Sequence, residues 1–230
     1  MPLKGILDTA RSLSYYARRQ EVTANNLANA NTDAFKADRI TARAIPGAEF
    51  PVPVQHTDMQ QGTFRETGRP LDLSLDGPGF FVVQTSQGER LTRGGSLRLD
   101  TVGRITDSHG DLVLGEGGPI VVQGGTVEVQ GDGTVWVDGS NAGRLRMVDP
   151  LDKGALLKAG LGRYLAKTPS PPVTEGVTRV RQGAIEEANL DSLLSMVDLV
   201  AIQRAYTANV DALKAMDGVL GAIVNEVGKV

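Results

Sequence analysis

Two heptad-spaced stretches, one at each end of the chain, constrain this fold more than anything between them. Near the N-terminus Leu3, Ile6, Ala10, Leu13, Ala17, Gln20, Ala24 and Leu27 recur at alternating intervals of three and four residues, on one stripe of a helix. Near the C-terminus Leu199, Ile202, Tyr206, Asn209, Leu213, Met216, Leu220, Ile223, Val227 and Val230 repeat the pattern. A helix with an apolar stripe cannot hide it alone, so each end requires either the other end or another subunit. Each seam has one strongly polar interruption, Gln20 in the first and Asn209 in the second. Opposing them predicts an antiparallel register with Leu27 against Ile202, Leu13 against Met216 and Ile6 against Ile223.

Glycine and proline mark the division of the chain. Of 28 glycines 24 lie between residues 38 and 186, with ten of the 11 prolines. The flanks, nearly free of helix breakers, read as a helix from Leu3 to Ala28 and a second from just after Asn189 towards Val227. The first stops at Asn29-Ala30-Asn31-Thr32-Asp33, whose side chains compete for backbone hydrogen bonds. Between them, Leu73/Leu75, Val127/Val129, Val135/Val137 and Leu145/Met147 alternate with polar neighbours as strands with one buried face do. Asp132-Gly133 signals a tight hairpin turn, and Gly88, Gly103 and Gly110 punctuate further short strands. The expected organisation is α+β: a helix over 1–36, an extended connector over 37–68, a mainly antiparallel β domain over 69–186, and a helix over 187–230. The two helices pair as an antiparallel coiled coil.

Composition narrows the function. A net charge of −3 provides no basic field for nucleic acid. Arg18-Arg19 reads as a solvated helix face. The absence of cysteine removes disulfide and thiolate chemistry. No apolar run approaches a membrane span, and Asp8 and Arg11 interrupt any cleavable signal-peptide core, so a retained N-terminus and no membrane insertion are expected. His56 and His109 each precede an aspartate by two residues, Asp58 and Asp111, but such pairs are weak evidence for a metal and read as turn residues. With no nucleophile elbow, phosphate loop or dinucleotide fingerprint, neither an enzyme nor a cofactor is expected. Trp136, out of phase with Val135 and Val137, is left equally open to docking and to burial.

At Ala24-Asn25-Asn26-Leu27-Ala28-Asn29-Ala30-Asn31-Thr32, continued by Phe35-Lys36, the chain resembles the flagellar rod and hook proteins. The resemblance returns in Thr67-Gly68-Arg69-Pro70-Leu71-Asp72, Gly79-Phe80-Phe81-Val82-Val83, Leu91-Thr92-Arg93, Gly183-Ala184-Ile185-Glu186, Asn189, Gln203-Arg204-Ala205-Tyr206 and Asn209. The family usually has glycine where this chain has Ala34. Arg43-Ala44-Ile45-Pro46 and the short connector favour a proximal over a distal rod type. The resemblance implies a structural subunit of the basal body, sent unfolded through the flagellar type III export apparatus into a helical rod crossing the periplasm. Its implied partners are other copies of itself and other rod proteins. Its implied architecture is an inner tube of paired helices with the β domain outside. A distal rod or hook-type axial protein, a β-domain enzyme or lectin on a helical stalk, and a non-flagellar homo-oligomeric adaptor are the competing readings.

Overall fold

The computed structural model describes residues 2–43, 51–174 and 176–227, with the side chains of residues 2–4 and 223–227 outside the described set. Expectations at Leu3, Ile223, Val227 and Val230 therefore concern side chains outside the described residues, as does the Ala44-Ile45-Pro46 stretch. The chain forms two compact units, one of residues 1–30, 38–56 and 190–230, the other of 31–37 and 57–189.

The first unit is built from α1 (Pro2–Ala28), a ribbon of β1 (Asp38–Arg43) and β2 (Val52–Thr57), and α2 (Ser192–Val227). α1 ends where the Asn29 amide N–H reaches back to the carbonyls of Asn25 and Asn26, and the Asn29 side chain donates to Asn25 O at 2.9 Å. α2 begins two residues later than Asn189 suggests: the Asp191 carboxylate accepts from the Leu194 N–H at 3.0 Å and is the N-cap. α1 and α2 pack against each other. They run antiparallel, because Arg19 meets Asp198 whereas Thr9, earlier in α1, meets Met216, later in α2. No described helix is long and apolar enough to cross a membrane.

The second unit contains β3 (Phe64–Glu66), β4 (Leu73–Asp76), β5 (Phe80–Thr85), β6 (Gly88–Thr92), β7 (Arg98–Leu99), β8 (Ile105–Thr106), β9 (Leu112–Gly115), β10 (Gly118–Pro119), β11 (Val127–Val129), β12 (Thr134–Val137), β13 (Ser140–Arg144), β14 (Met147–Val148), β15 (Leu157–Lys158), β16 (Arg163–Leu165), β17 (Arg179–Gln182) and β18 (Ala184–Glu186). One sheet runs β15-β16-β6-β5-β9-β8-β7, with β10 on β9 and β14 on β5. A second is β11-β12-β13, and β17-β4 and β18-β3 form two-stranded ladders. Among the described residues of this unit every strand pairing is antiparallel. Residues 37–68, expected as an extended connector, thus supply three strands, of which β3 pairs with β18.

β5 sits between two cores. Successive strand residues point to opposite faces, so Phe81 and Val83 enter one cluster with Leu73, Leu75 and Val113, while Phe80 and Val82 enter another with Leu91, Leu114 and Tyr164. An unbroken apolar run is what a strand covered on both sides requires. The Asp132-Gly133 hairpin is longer than a two-residue primed turn. Gly133 N–H returns to Gln130 O at 2.9 Å and Gly133 has φ +88°, a three-residue loop closed by a left-handed glycine. A bulge between Val135 and Trp136 breaks the alternation. Trp136 is half-buried, with its indole N–H sequestered.

Candidate functional site

In α2 the expected stripe is the packed one: Ile202 is buried, and Leu199, Tyr206, Asn209, Leu213 and Leu220 are half-buried, with Met216 at the exposed margin. In α1 the packed stripe is turned by about one position. Its most buried residues are Thr9 and Val22, flanked along one stripe by half-buried Gly5, Ser12, Tyr16, Arg19 and Asn26. Ile6, Leu13, Gln20 and Leu27 lie half-buried beside it, and Ala10, Ala17 and Ala24 are exposed. A hydrophobic pattern misses this face because Thr9 reads as polar, yet its hydroxyl donates to Gly5 O at 2.8 Å within the same helix and so can be buried.

The register differs from the expected one as well. Met216, expected opposite Leu13, has its sulfur 4.0 Å from Thr9 Oγ1, and a side-chain carbon at Gly5 would stand 3.7 Å from it. The Met216 contacts are offset by four to eight residues from a Gln20–Asn209 pairing and the Arg19–Asp198 contact by twelve, an axial range of about 6–18 Å. Asn209 needs no partner across the seam, since its amide donates to Ala205 O at 2.8 Å. The Arg19 guanidinium contacts both carboxylate oxygens of Asp198 at 3.1–3.3 Å instead. Paired in this way, α2 still leaves Leu193, Leu194, Met196, Val197 and Val200 exposed, Leu194 at 67 % and Val197 at 62 %.

In the second unit, segments distant in sequence converge on a buried charge cluster. Lys36 and Glu186 are shielded from solvent and Arg93 nearly so. Glu186 accepts from the Lys36 ammonium, from Arg93 Nε at 2.9 Å and from the Gly62 N–H at 3.0 Å. Arg93 spends its remaining donors on the carbonyls of Leu75, Gly77 and Gly79, and Lys36 also donates to Gln60 O. Two cations and one anion share the site, and burial is the main reason the Lys36 pKa falls below its usual value of 10.5. Gly62 lies so close to the Glu187 carbonyl that a Cβ there would collide with it. Beside the cluster Asn189 binds the N–H of Ala37 at 2.8 Å and the carbonyls of Asp58 and Gln60 at 2.8 and 3.0 Å. Lys36, Arg93, Glu186 and Asn189 all lie in the quoted motif blocks. The signal that marks the three charges in sequence is their position within otherwise apolar or small-residue blocks.

The remaining motif residues have local structural roles. Asn26 pairs with the Asp38 backbone in both directions, at 2.8 and 2.9 Å, and holds β1 on α1. The Asn25 carbonyl receives the Asn29 side chain. Thr32 O closes a turn to the Phe35 N–H, while Asn31 is exposed. Phe35 is buried beneath the Lys158 ammonium, 4.7 Å from the ring centroid. Gln203 and Arg204 are exposed on α2, and Tyr206 is half-buried. His56 is exposed, and His109 lies in a loop whose Asp107 carboxylate is engaged by Arg163 and by the N–H groups of His109 and Asp111. Among the described residues no group of three His, Cys, Asp or Glu is placed to hold a metal ion.

Sequence comparison covers the same blocks. Residues 7–36 match a family described as flagella basal body rod protein, 74–137 the flagellar hook protein FlgE/F/G D1 domain, and 181–226 the flagellar basal body rod FlgEFG protein C-terminal family. The chain is 32% identical to the flagellar basal-body rod protein FlgF of Escherichia coli, over 86% of this chain and 88% of that one. It is 31% identical to FlgF of Caulobacter vibrioides over 93% of each chain. To the rod protein FlgG of Bacillus subtilis it is 26% identical, over 97% of this chain and 98% of that one.

Proposed function

The chain belongs to the flagellar basal-body rod protein family and is a structural subunit of the basal-body rod, and from that premise we propose that α1 and α2 are its assembly element, packing as a coiled coil into an inner helical layer of a periplasmic drive shaft. The observation that carries this is the apolar face α2 keeps after pairing with α1, from Leu193 to Val200. Burying one such side chain contributes about 1.5–3 kcal/mol, so a neighbouring subunit over this face adds to what the pairing of α1 with α2 provides. The proposed interface also includes Leu3, Ile6, Leu13, Gln20, Leu27, Leu199, Ile202, Tyr206, Leu213, Met216, Leu220 and Ile223. Its partners are other copies of this chain and other rod proteins.

Delivery to that location is proposed to run through the flagellar type III export apparatus, with targeting read from the retained N-terminal region. Mass spectrometry of assembled protein should then find a chain beginning at residue 1 or 2. The assembly reading is tested by Leu194→Asp with Val197→Asp in the full-length chain. The pair should leave far-UV circular dichroism and the β-unit melting transition unchanged, yet abolish helical tubes in electron micrographs and swimming in soft agar. Tubes that persist with both substitutions would refute it.

A further inference from the structure

The long sheet of the second unit ends at β15, and the β15–β16 hairpin carries a surface that the fold itself does not use. Leu157 and Leu165 are direct partners across the hairpin and so share a face, and both are exposed. At the tip Leu161 is 63 % exposed and held at φ +55° between two left-handed glycines, Gly160 and Gly162. A bulky residue in that backbone region is strained, and strain of this kind clusters at functional positions. Leu157 lies on the edge strand β15, whose open side is also an unpaired template for another chain.

The charge around the hairpin indicates what covers it. Residues 153–167 contain four basic and no acidic residues, whereas residues 116–142 contain four acidic and no basic residues. Arg163 is neutralised by Asp107 and Asp111, and Lys153 by Asp149, but Lys167 stands exposed. On the β11–β12–β13 sheet Arg144 approaches Glu116 and Asp132, while exposed Glu128 and Asp138 have no ion pair among the described residues. Two complementary surfaces on different parts of one unit suit a contact in which one copy offers the hairpin and the next offers the sheet. Repeated from copy to copy, such a head-to-tail contact extends into a string wherever its rotation does not close a ring.

We infer that the β15–β16 hairpin of one copy docks on the acidic β11–β12–β13 sheet of the next, as a second contact between copies beyond the helices. The inference rests on the rod reading, but its test separates the two. The chain has no cysteine, so Ala159→Cys in the hairpin turn and Ser140→Cys on β13 supply the only thiols for a bifunctional maleimide. The full-length double variant should yield a ladder of multiples of 24.3 kDa, and neither single variant should yield any. Adding Leu161→Asn, a side chain that tolerates the left-handed backbone, should reduce the ladder at least tenfold with an unchanged melting transition. Lys167→Glu should do the same, and the ladder should shrink as salt is raised. Dimers from either single variant, or no ladder from samples that micrographs show as tubes, would overturn the docking and leave the rod reading standing. A ladder without tubes would support the docking and count against helix-driven assembly.

Discussion

Ala34 adopts φ +54°, a backbone conformation that costs an L-residue about 1–2 kcal/mol. It is held there by a 2.7 Å hydrogen bond from its N–H to Glu186 O, and the usual family glycine would adopt it freely. Ala34→Gly should stabilise the protein, by about 0.5–1 kcal/mol once the greater freedom of glycine in the unfolded chain is subtracted. Urea denaturation would read this as a higher midpoint at constant slope. Two residues on, the buried cluster responds unequally to its members. Glu186→Gln strands the Lys36 and Arg93 cations and should cost about 3–5 kcal/mol. Lys36→Met leaves the Arg93–Glu186 pair intact and should cost much less, visible as a far smaller shift in the same denaturation midpoint. Lys36 also links stability to alkaline pH. Its folded pKa lies below 10.5, so over that interval the unfolded chain binds the proton more tightly and the group's contribution to stability rises with pH. Subtracting the pH profile of Lys36→Met from that of the unaltered chain should expose this upward slope, and a downward one would contradict it.

At the scale of elements, the two helices show what the sequence could and could not convey. The stripe on α2 was readable because apolar residues face its neighbour at heptad spacing. The α1 face was not, because Gly5, Thr9 and Ser12 pack through small size and internal hydrogen bonding, which a hydrophobic pattern does not register. The register failed for a related reason: Asn209 satisfies its amide on its own helix, so the polar match with Gln20 exerts no pull. The strands were legible wherever an alternating run met a left-handed glycine, as at Gly88, Gly103 and Gly110. The capping residue was not, since Asn189 is drawn to Ala37 and Asp58 and leaves the cap to Asp191. A monomer with Thr9→Cys and Met216→Cys should close an internal bridge with a short maleimide cross-linker, whereas Gln20→Cys with Asn209→Cys should not. The opposite result would reinstate the polar pairing.

For the whole molecule, a single copy has one well-packed unit and one whose helices retain exposed apolar surface. Ordering backbone costs about 1–2 kcal/mol per residue, and in the helical unit less burial offsets that cost. Limited trypsin digestion of monomer should therefore cut first at Arg11, Arg18, Arg204 or Lys214 and leave the β unit whole; equal resistance throughout would contradict this. The cluster that joins Lys36 to Glu186 spans 150 positions of sequence, and β17 and β18 close on β4 and β3, among the first strands of their unit. Contacts of such long range form late, because the intervening loop must be closed before they contribute. On the export route proposed above, a chain passing a narrow channel N-terminus first carries an unfinished β unit until Glu186 has emerged. On that route the last strands act as a timer, keeping the polypeptide slack in transit and letting it set only on arrival.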